Sequence, residues 1–324
     1  MKKIAITGAN GFVGSRLTGK LLARGYQVLS LVRHGANTSL LPGDADIVFV
    51  DYHGSDFAEK IAGCDVLIHG AALTRARYWN DFKKVNIDLT DKMILHANMS
   101  DSIAKLIFIS SQAAAGPALD RDNPRRENDA CHPVSLYGKS KMLAEKLVQD
   151  KCQKSYTIIR PAAVFGPGDR DFLFYFKLVK KHLALNIGSR EKYLSLIYVD
   201  DLAELISLAV STNRAEGEIF FAAHDESVSL TRFNAYLGEC LNTFSNPVTI
   251  PAFFLDVLAI LSELWASLHH NVALLNREKV RELNHHYWLV SNAKAKEYLH
   301  FAPDYDILEA LHLTCKWYKE KGWL

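Results

Sequence analysis

The stretch Tyr137-Gly138-Lys139-Ser140-Lys141 sets a phenol and an ammonium four residues apart, and Leu143, Leu147 and Val148 carry an apolar helical period onward from it. Residues four apart share a helix face, so Lys141 is expected beside the Tyr137 hydroxyl. A neighbouring cation favours the phenolate and brings a tyrosine pKa down from about 10 toward a range useful for proton transfer. Such a pair alone is equally an ordinary surface helix contact. It gains weight beside Ile107-Phe108-Ile109-Ser110-Ser111-Gln112, where an apolar run ends in two serines. In a parallel sheet ligands bind beyond the carboxyl ends of the strands, which puts a strand-end hydroxyl into the crevice, although turns also favour serine for conformational reasons alone.

A third cluster, Gly8-Ala9-Asn10-Gly11-Phe12-Val13-Gly14, spaces its glycines three apart directly after the apolar run Ile4 to Thr7. Glycine lets the backbone turn sharply and approach a pyrophosphate, which then sits on the positive end of the following helix. The alternative is a tight strand-to-helix turn with no ligand, and the position at the first such junction favours the dinucleotide reading. About 20 residues past the glycines, a carboxylate would suit the ribose diol of NAD and an arginine the 2'-phosphate of NADP. Leu29-Ser30-Leu31-Val32-Arg33 offers no acid and ends in Arg33, so NADP is expected over NAD.

These groups need a scaffold of alternating strands and helices. Ile4 to Thr7, Val28 to Val32, Ile47 to Val50, Val66 to Ile68, Leu106 to Ile109 and Thr157 to Ile159 read as buried strands with helical stretches between most of them, Gly14 to Arg24 the first. That alternation implies an α/β protein whose parallel sheet is covered on both faces. The 324 residues give ample chain for a core, and a composition 49% hydrophobic and 23% charged excludes a disordered or fibrous class. Against 38 Lys and Arg stand 36 Asp and Glu, a net charge of +2 that argues against nucleic acid as a partner. Cys64, Cys131, Cys152, Cys240 and Cys315 are odd in number and widely spaced, so a reducing compartment is expected. The N-terminal apolar run is too short for a signal peptide, and a cytoplasmic location follows as the expectation.

Seven motifs in order give the chain a clear resemblance. They are Thr7-Gly8-Ala9-Asn10-Gly11-Phe12-Val13-Gly14, Asp65-Val66-Leu67-Ile68-His69-Gly70-Ala71-Ala72, Val85-Asn86-Ile87-Asp88-Leu89-Thr90, Ser110-Ser111, Tyr137 with Lys141, Arg160-Pro161 with Val164-Phe165-Gly166-Pro167, and Ile197-Tyr198-Val199-Asp200-Asp201. The sequence resembles the extended short-chain dehydrogenase/reductase family, also described as the NAD-dependent epimerase/dehydratase family, nearest its dihydroflavonol-reductase and hydroxysteroid-dehydrogenase side. The resemblance implies a Rossmann-type doubly wound parallel sheet with a smaller, interleaved C-terminal substrate domain. The expected division is residues 1–165 with 196–224 for the dinucleotide and 166–195 with 225–324 for the substrate.

For the site, the resemblance implies that Ser111 rather than Ser110 is the catalytic hydroxyl, because the family counts back five residues from Gly116. Tyr137 exchanges the substrate proton, and Lys141 holds the nicotinamide ribose and tunes Tyr137. The cofactor set it implies is Gly8, Asn10, Gly11, Phe12, Val13, Gly14, Arg33, Asp51, Tyr52, Ala71, Ala72, Leu73, Tyr137, Lys141, Pro161 and Val164. His69 and Asp65 fall on structural positions.

Departures from the family pattern bear on the substrate. Gln112-Ala113 replaces the Asp-Glu pair of the 4,6-dehydratases. Ala163 and Leu194 stand where many nucleotide-sugar members carry an Asn and an Arg against the substrate diphosphate, so a small, rather apolar substrate is expected, with a sugar epimerase as the alternative. In the segment 251–268, Asp256, Glu263 and Ser267 make a narrow polar stripe on an otherwise apolar helix. The leading expectation is a helix buried in the second domain or in a homodimer interface; an apolar substrate wall or a peripheral membrane contact is the alternative, and the segment is too short and polar to span a bilayer. The pairs His269-His270 and His285-His286 lack an acid or Cys at ligand spacing, so no metal is expected.

Overall fold

The structure is a computed structural model that describes residues 2–52, 54, 56–268 and 276–324. The first half runs β1 (Lys3–Thr7), α1 (Phe12–Ala23), β2 (Gln27–Arg33), β3 (Asp46–Val50), α2 (Phe57–Lys60), β4 (Val66–His69), α3 (Trp79–Phe82), α4 (Leu89–Met99), β5 (Lys105–Ile109), α5 (Gln112–Ala115), α6 (Leu136–Lys151) and β6 (Ser155–Pro161). The second half continues with β7 (Ala163–Phe165), α7 (Leu173–Lys180), β8 (Leu183–Ile187), β9 (Tyr193–Tyr198), α8 (Val199–Ser211), β10 (Glu218–Ala222) and β11 (Ser227–Ser229). It closes with α9 (Leu230–Leu241), β12 (Asn246–Ile250), α10 (Ala252–Leu268), α11 (Arg277–Asn284), β13 (Tyr287–Trp288), α12 (Ala293–Leu299) and α13 (Ile307–Glu320). All six strands read from the sequence form.

Seven of these strands make one parallel sheet in the order β10-β6-β5-β4-β1-β2-β3. The order reverses at β1, so the carboxyl ends of β1 and β4 open a crevice where such sheets bind ligands. Both faces are covered, which is why the central strands read as unbroken apolar runs. Leu17, Leu21, Leu202 and Ile206 from α1 and α8 close over Ile4, Ile6, Ile68 and Ile107 on one face. Met93, Ile94, Ala144 and Val148 from α4 and α6 cover Leu29, Leu31, Leu67, Leu106 and Phe108 on the other. Each fully buried Leu, Ile or Phe side chain contributes about 1.5–3 kcal/mol, so this double layer holds the sheet ends that carry the site.

Two smaller sheets lie in the second half. Strand β9 pairs with β7 and β13 in parallel and with β11 antiparallel, while β8 pairs with β12. Their core joins Phe165, Phe176, Val179, Phe233, Leu237, Leu311 and Tyr318.

The expectation that the helix over 251–268 is buried within the second domain is corrected. The helix forms as α10; among its described side chains Leu255 and Ala259 are buried against Ile187 and Val280, whereas Phe253, Phe254, Val257, Leu258, Ile260, Leu261 and Trp265 are exposed. Among the described residues, a two-stranded sheet and one short helix cover a narrow stripe of its circumference. Among the described residues no helix is long and apolar enough to cross a membrane. The pair His269-His270 lies outside the described residues, and among the described residues no cluster of His, Cys, Asp or Glu is grouped to hold a metal.

Candidate active site

The glycine loop lies at the reversal of strand order. Gly8 takes a φ of +73°, and a Cβ there would lie 2.8 Å from the Ala71 backbone nitrogen, so the loop between β1 and α1 can sit this close to β4 only as glycine. Helix α1 starts from Gly11 with no capping side chain and no acid in its first turn. Its first N–H groups and dipole therefore suit an anion, and the loop fits a pyrophosphate. The Gly8 amide donates to the Tyr52 hydroxyl (3.3 Å), which donates to the Leu31 carbonyl (3.0 Å), tying the loop to the end of β2. Asn10 Nδ2 donates to the Asn37 carbonyl at 2.9 Å, and Phe12 and Val13 are half-buried. Arg33 ends β2 exposed, and Asp51, also exposed, follows β3. Thus Gly8, Asn10, Gly11, Phe12, Val13 and Gly14 follow the carboxyl end of β1, Arg33 ends β2, and Asp51 and Tyr52 follow β3.

Ala71, Ala72 and Leu73 leave β4 beneath that mouth. Their path is held by Asn86, whose Oδ1 accepts from the Leu73 amide (2.7 Å) while its Nδ2 donates to the Leu73 carbonyl (2.9 Å) and to Ser140 Oγ (2.8 Å). Ser140 Oγ in turn donates to the Tyr137 carbonyl at 2.7 Å. Asn86 belongs to a π-helical turn, Lys83–Asp88, a geometry that recurs at functional sites. Pro161 ends β6 opposite Ala222, and Val164 pairs with Ile197 across β7 and β9.

Ser111 and Tyr137 meet where β5 ends against the start of α6. Gly138 makes the approach possible: a Cβ there would lie 2.3 Å from the Ala113 carbonyl oxygen, so α5 and the first turn of α6 touch backbone to backbone. The Ser111 hydroxyl accepts the Ala113 amide at 3.1 Å and hydrogen-bonds with the Tyr137 phenol. Ser110, one residue earlier, donates its hydroxyl to the buried Glu145 carboxylate and points away from the cleft network.

The electrostatics differ from the sequence expectation. Burial pushes the Tyr137 phenol up to about 12, the Ser111 hydrogen bond pulls it down, and the negative charge of Glu282 raises it further. Lys141 does not lower it. Its ammonium donates to the Ile109 carbonyl (2.7 Å) and lies 4.1 Å over the Phe108 ring, and burial brings it down to about 7, opposed by Glu145. Sharing a helix face aligned the two side chains, but the ammonium turned toward a carbonyl instead of the phenol.

Several groups that the motif reading passed over organise the site. Glu145, one turn beyond Lys141 on the same face, is bound by Arg160 through Nη2 (2.7 Å) and Nε (3.0 Å), both side chains being buried. Helix α11 reaches the start of α6: Glu278 accepts the Leu136 amide (2.6 Å) and Glu282 the Ser135 hydroxyl (2.7 Å). Glu145 was legible as a helical neighbour; α11 arrives from about 140 residues away, and no local pattern announces it. The remaining motif residues are structural. His69 is held between Thr7 Oγ1 (2.7 Å) and Thr90 Oγ1 (3.1 Å) with burial bringing it down to about 3, and Asp65 accepts the Lys3 amide at 2.7 Å. Asp200 chelates Arg16 of α1 at 2.7 and 2.5 Å.

A model of the NAD dependent epimerase/dehydratase family matches residues 4–223. The chain belongs to that family. Family members of this extended short-chain dehydrogenase/reductase type are NAD(P)-dependent oxidoreductases and epimerases. A ceramide reductase of Caulobacter vibrioides is 26% identical over 324 residues, covering 99% of this chain and 96% of that one. A UDP-glucose 4-epimerase of Vibrio cholerae is 31% identical over 269 residues, 77% of this chain and 79% of that one. The fold matches a UDP-glucuronic acid 4-epimerase of Bacillus cereus, solved with UDP-glucuronic acid and NAD, at a TM-score of 0.78 and 18% identity, over 98% of this chain and 99% of that one.

Proposed function

We propose that this family member is an NADP-preferring oxidoreductase that moves a hydride between nicotinamide and the carbonyl or secondary alcohol of a small, rather apolar molecule. The observation that carries the reading is the convergence of Ser111, Tyr137 and the buried Lys141 at the end of β5, beside a glycine loop that fits a pyrophosphate. In this reading residues 1–165 with 196–224 hold the dinucleotide, with Arg33 toward its 2'-phosphate and Tyr137 and Lys141 toward its ribose. The bound dinucleotide supplies or accepts the hydride. Ser111 donates a hydrogen bond to the substrate oxygen, and Tyr137 exchanges its proton. A phenol held up at about 12 is protonated at neutral pH, which suits it to give a proton to a carbonyl and so favours reduction.

Residues 166–195 with 225–324 shape the substrate side. Leu194, flanked by Val228 and Trp288, and Ala163, beside Leu196, offer no cation or amide to a diphosphate. A reductase named for ceramide, matched over nearly its whole length, supports an apolar substrate. A cytoplasmic homodimer that binds no nucleic acid completes the proposal.

The second reading is a sugar epimerase, which the 31% identical UDP-glucose 4-epimerase favours. An epimerase oxidises and re-reduces the same carbon and leaves the cofactor unchanged. A cofactor sensor without catalysis is a third possibility, and it would need no proton relay. A screen of ketones, secondary alcohols and sugar nucleotides, followed by nicotinamide absorbance with NADPH, NADP, NADH and NAD and by chromatography of the sugar products, separates the three. Net turnover with an apolar carbonyl is expected; turnover of sugar nucleotides without net cofactor change would replace the proposal by the epimerase.

A further inference from the structure

Helix α10 carries an outward surface unlike the rest of the molecule. At about 100° per residue, Ile260, Phe253, Val257, Leu261, Phe254, Trp265 and Leu258 follow one another around about 160° of the helix. Their exposures are 47, 64, 49, 57, 50, 68 and 42%. This arc contains no charged residue. The acids Asp256 and Glu263 stand at one margin, and Glu263 is bound by Arg277 at 3.1 Å. Single exposed apolar residues are normal, but a continuous arc of seven marks an interaction face.

The sheet beside α10 extends that face. Alternation along a strand sends Leu183, Leu185 and Ile187 of β8 to the same side, and the register of β12 adds Val248 and Ile250. Leu185, Ile187 and Ile250 lie under α10, while Leu183 and Val248, each 39% exposed, continue the apolar surface past its edge. Phe244, stacked on His182 at 4.8 Å, completes that end. Directly before His182 stand the exposed Lys180 and Lys181, and from Phe172 to Arg190 the chain has Lys177, Lys180, Lys181 and Arg190 with no Asp or Glu.

We propose that this face docks the protein onto an anionic lipid bilayer, with α10 lying in the interfacial layer and the lysine rim against acidic headgroups. The uncharged arc gains from acyl-chain burial, and Lys180 and Lys181 beside the sheet end of the face gain from headgroup charge, while the acids Asp256 and Glu263 are confined to one margin, where Arg277 binds Glu263. The placement also bears on the cleft. The inner stripe of α10, Leu255 and Ala259, packs on Val280 of α11, and α11 holds the start of the helix that carries Tyr137. The bilayer would thus lie one helix away from the groups at the start of α6. The proposal concerns binding and stands whether or not the proposed reaction does.

The test is co-sedimentation of the full chain, without substrate, with vesicles of equimolar phosphatidylcholine and phosphatidylglycerol and with vesicles of phosphatidylcholine alone. Wild type is expected to pellet with the mixed vesicles and about tenfold more weakly with phosphatidylcholine. The double variant Phe254→Glu/Leu261→Glu should bind both at least about tenfold more weakly. Lys180→Glu/Lys181→Glu should bind the mixed vesicles no better than wild type binds phosphatidylcholine. Circular dichroism checks that each variant folds, and Leu261→Gln with Phe254→Gln replaces the first pair if it does not. A wild type that stays in the supernatant with both vesicles overturns the proposal. So does an α10 variant that binds like wild type, or one whose only change is a halved mass in sedimentation equilibrium, which would assign the face to a second copy.

Discussion

Lys141 is only 1% exposed, and burial brings its ammonium down to about 7 from the 10.5 of a free lysine. Between these values the unfolded chain holds a proton that the folded chain has released. Stability must therefore rise with pH across the window, by up to about 1.4 kcal/mol per unit in its middle and about half of that at its lower edge. From about pH 7 to about pH 9 this amounts to roughly 2 kcal/mol. Lys141→Met keeps an unbranched apolar stem over Phe108 and removes the titration. The lost hydrogen bond to the Ile109 carbonyl costs about 1 kcal/mol at both pH values and leaves the difference between them untouched. Urea unfolding of wild type and variant at the two pH values provides the measurement, and titration of all other groups cancels in the comparison. Wild type is expected to gain about 2 kcal/mol more than the variant. Equal gains would refute the claim that the folded protein discharges this lysine near neutrality.

Four further outcomes are expected. Tyr137→Phe should lower turnover at least about 100-fold while dinucleotide affinity, read by fluorescence titration, stays within a few-fold; activity above about a tenth of wild type contradicts its role as proton donor. Arg33→Ala should weaken NADP by about 1.5–3 kcal/mol in calorimetry and leave NAD nearly unchanged, and an equal loss for both removes Arg33 from the 2'-phosphate. With NADP saturating, UDP and UDP- or dTDP-sugars should bind no tighter than about 1 mM, roughly 4 kcal/mol, because Ala163 and Leu194 leave a diphosphate without donors; a micromolar complex would promote the epimerase. Asn86→Ala removes three hydrogen bonds, one buried and two part-buried, and should cost about 3 kcal/mol of stability in urea unfolding, with a loss of turnover as the Leu73 turn and the Tyr137 carbonyl lose their common anchor.

The sequence by itself determined the scaffold and the chemistry-bearing groups, because both are written in local patterns. Apolar runs such as Ile4 to Thr7 and Leu106 to Ile109 read as strands covered on both faces, and their alternation with helices pointed to a parallel sheet. The glycines at 8, 11 and 14 marked a turn that requires positive φ and close backbone approach, and the serine pair marked a strand end. What such patterns cannot carry is direction and distance in space. Four-residue spacing aligned Tyr137 with Lys141, yet the ammonium went to the Ile109 carbonyl because a buried charge seeks the nearest acceptor in three dimensions. Nothing in the order of residues announced that Glu278 and Glu282 would hold the start of α6, since that contact spans about 140 positions. Helix α10 shows the same limit: its composition read as burial, but whether an apolar helix is covered depends on how much surface its neighbours present, and β8, β12 and α11 present enough for one stripe only.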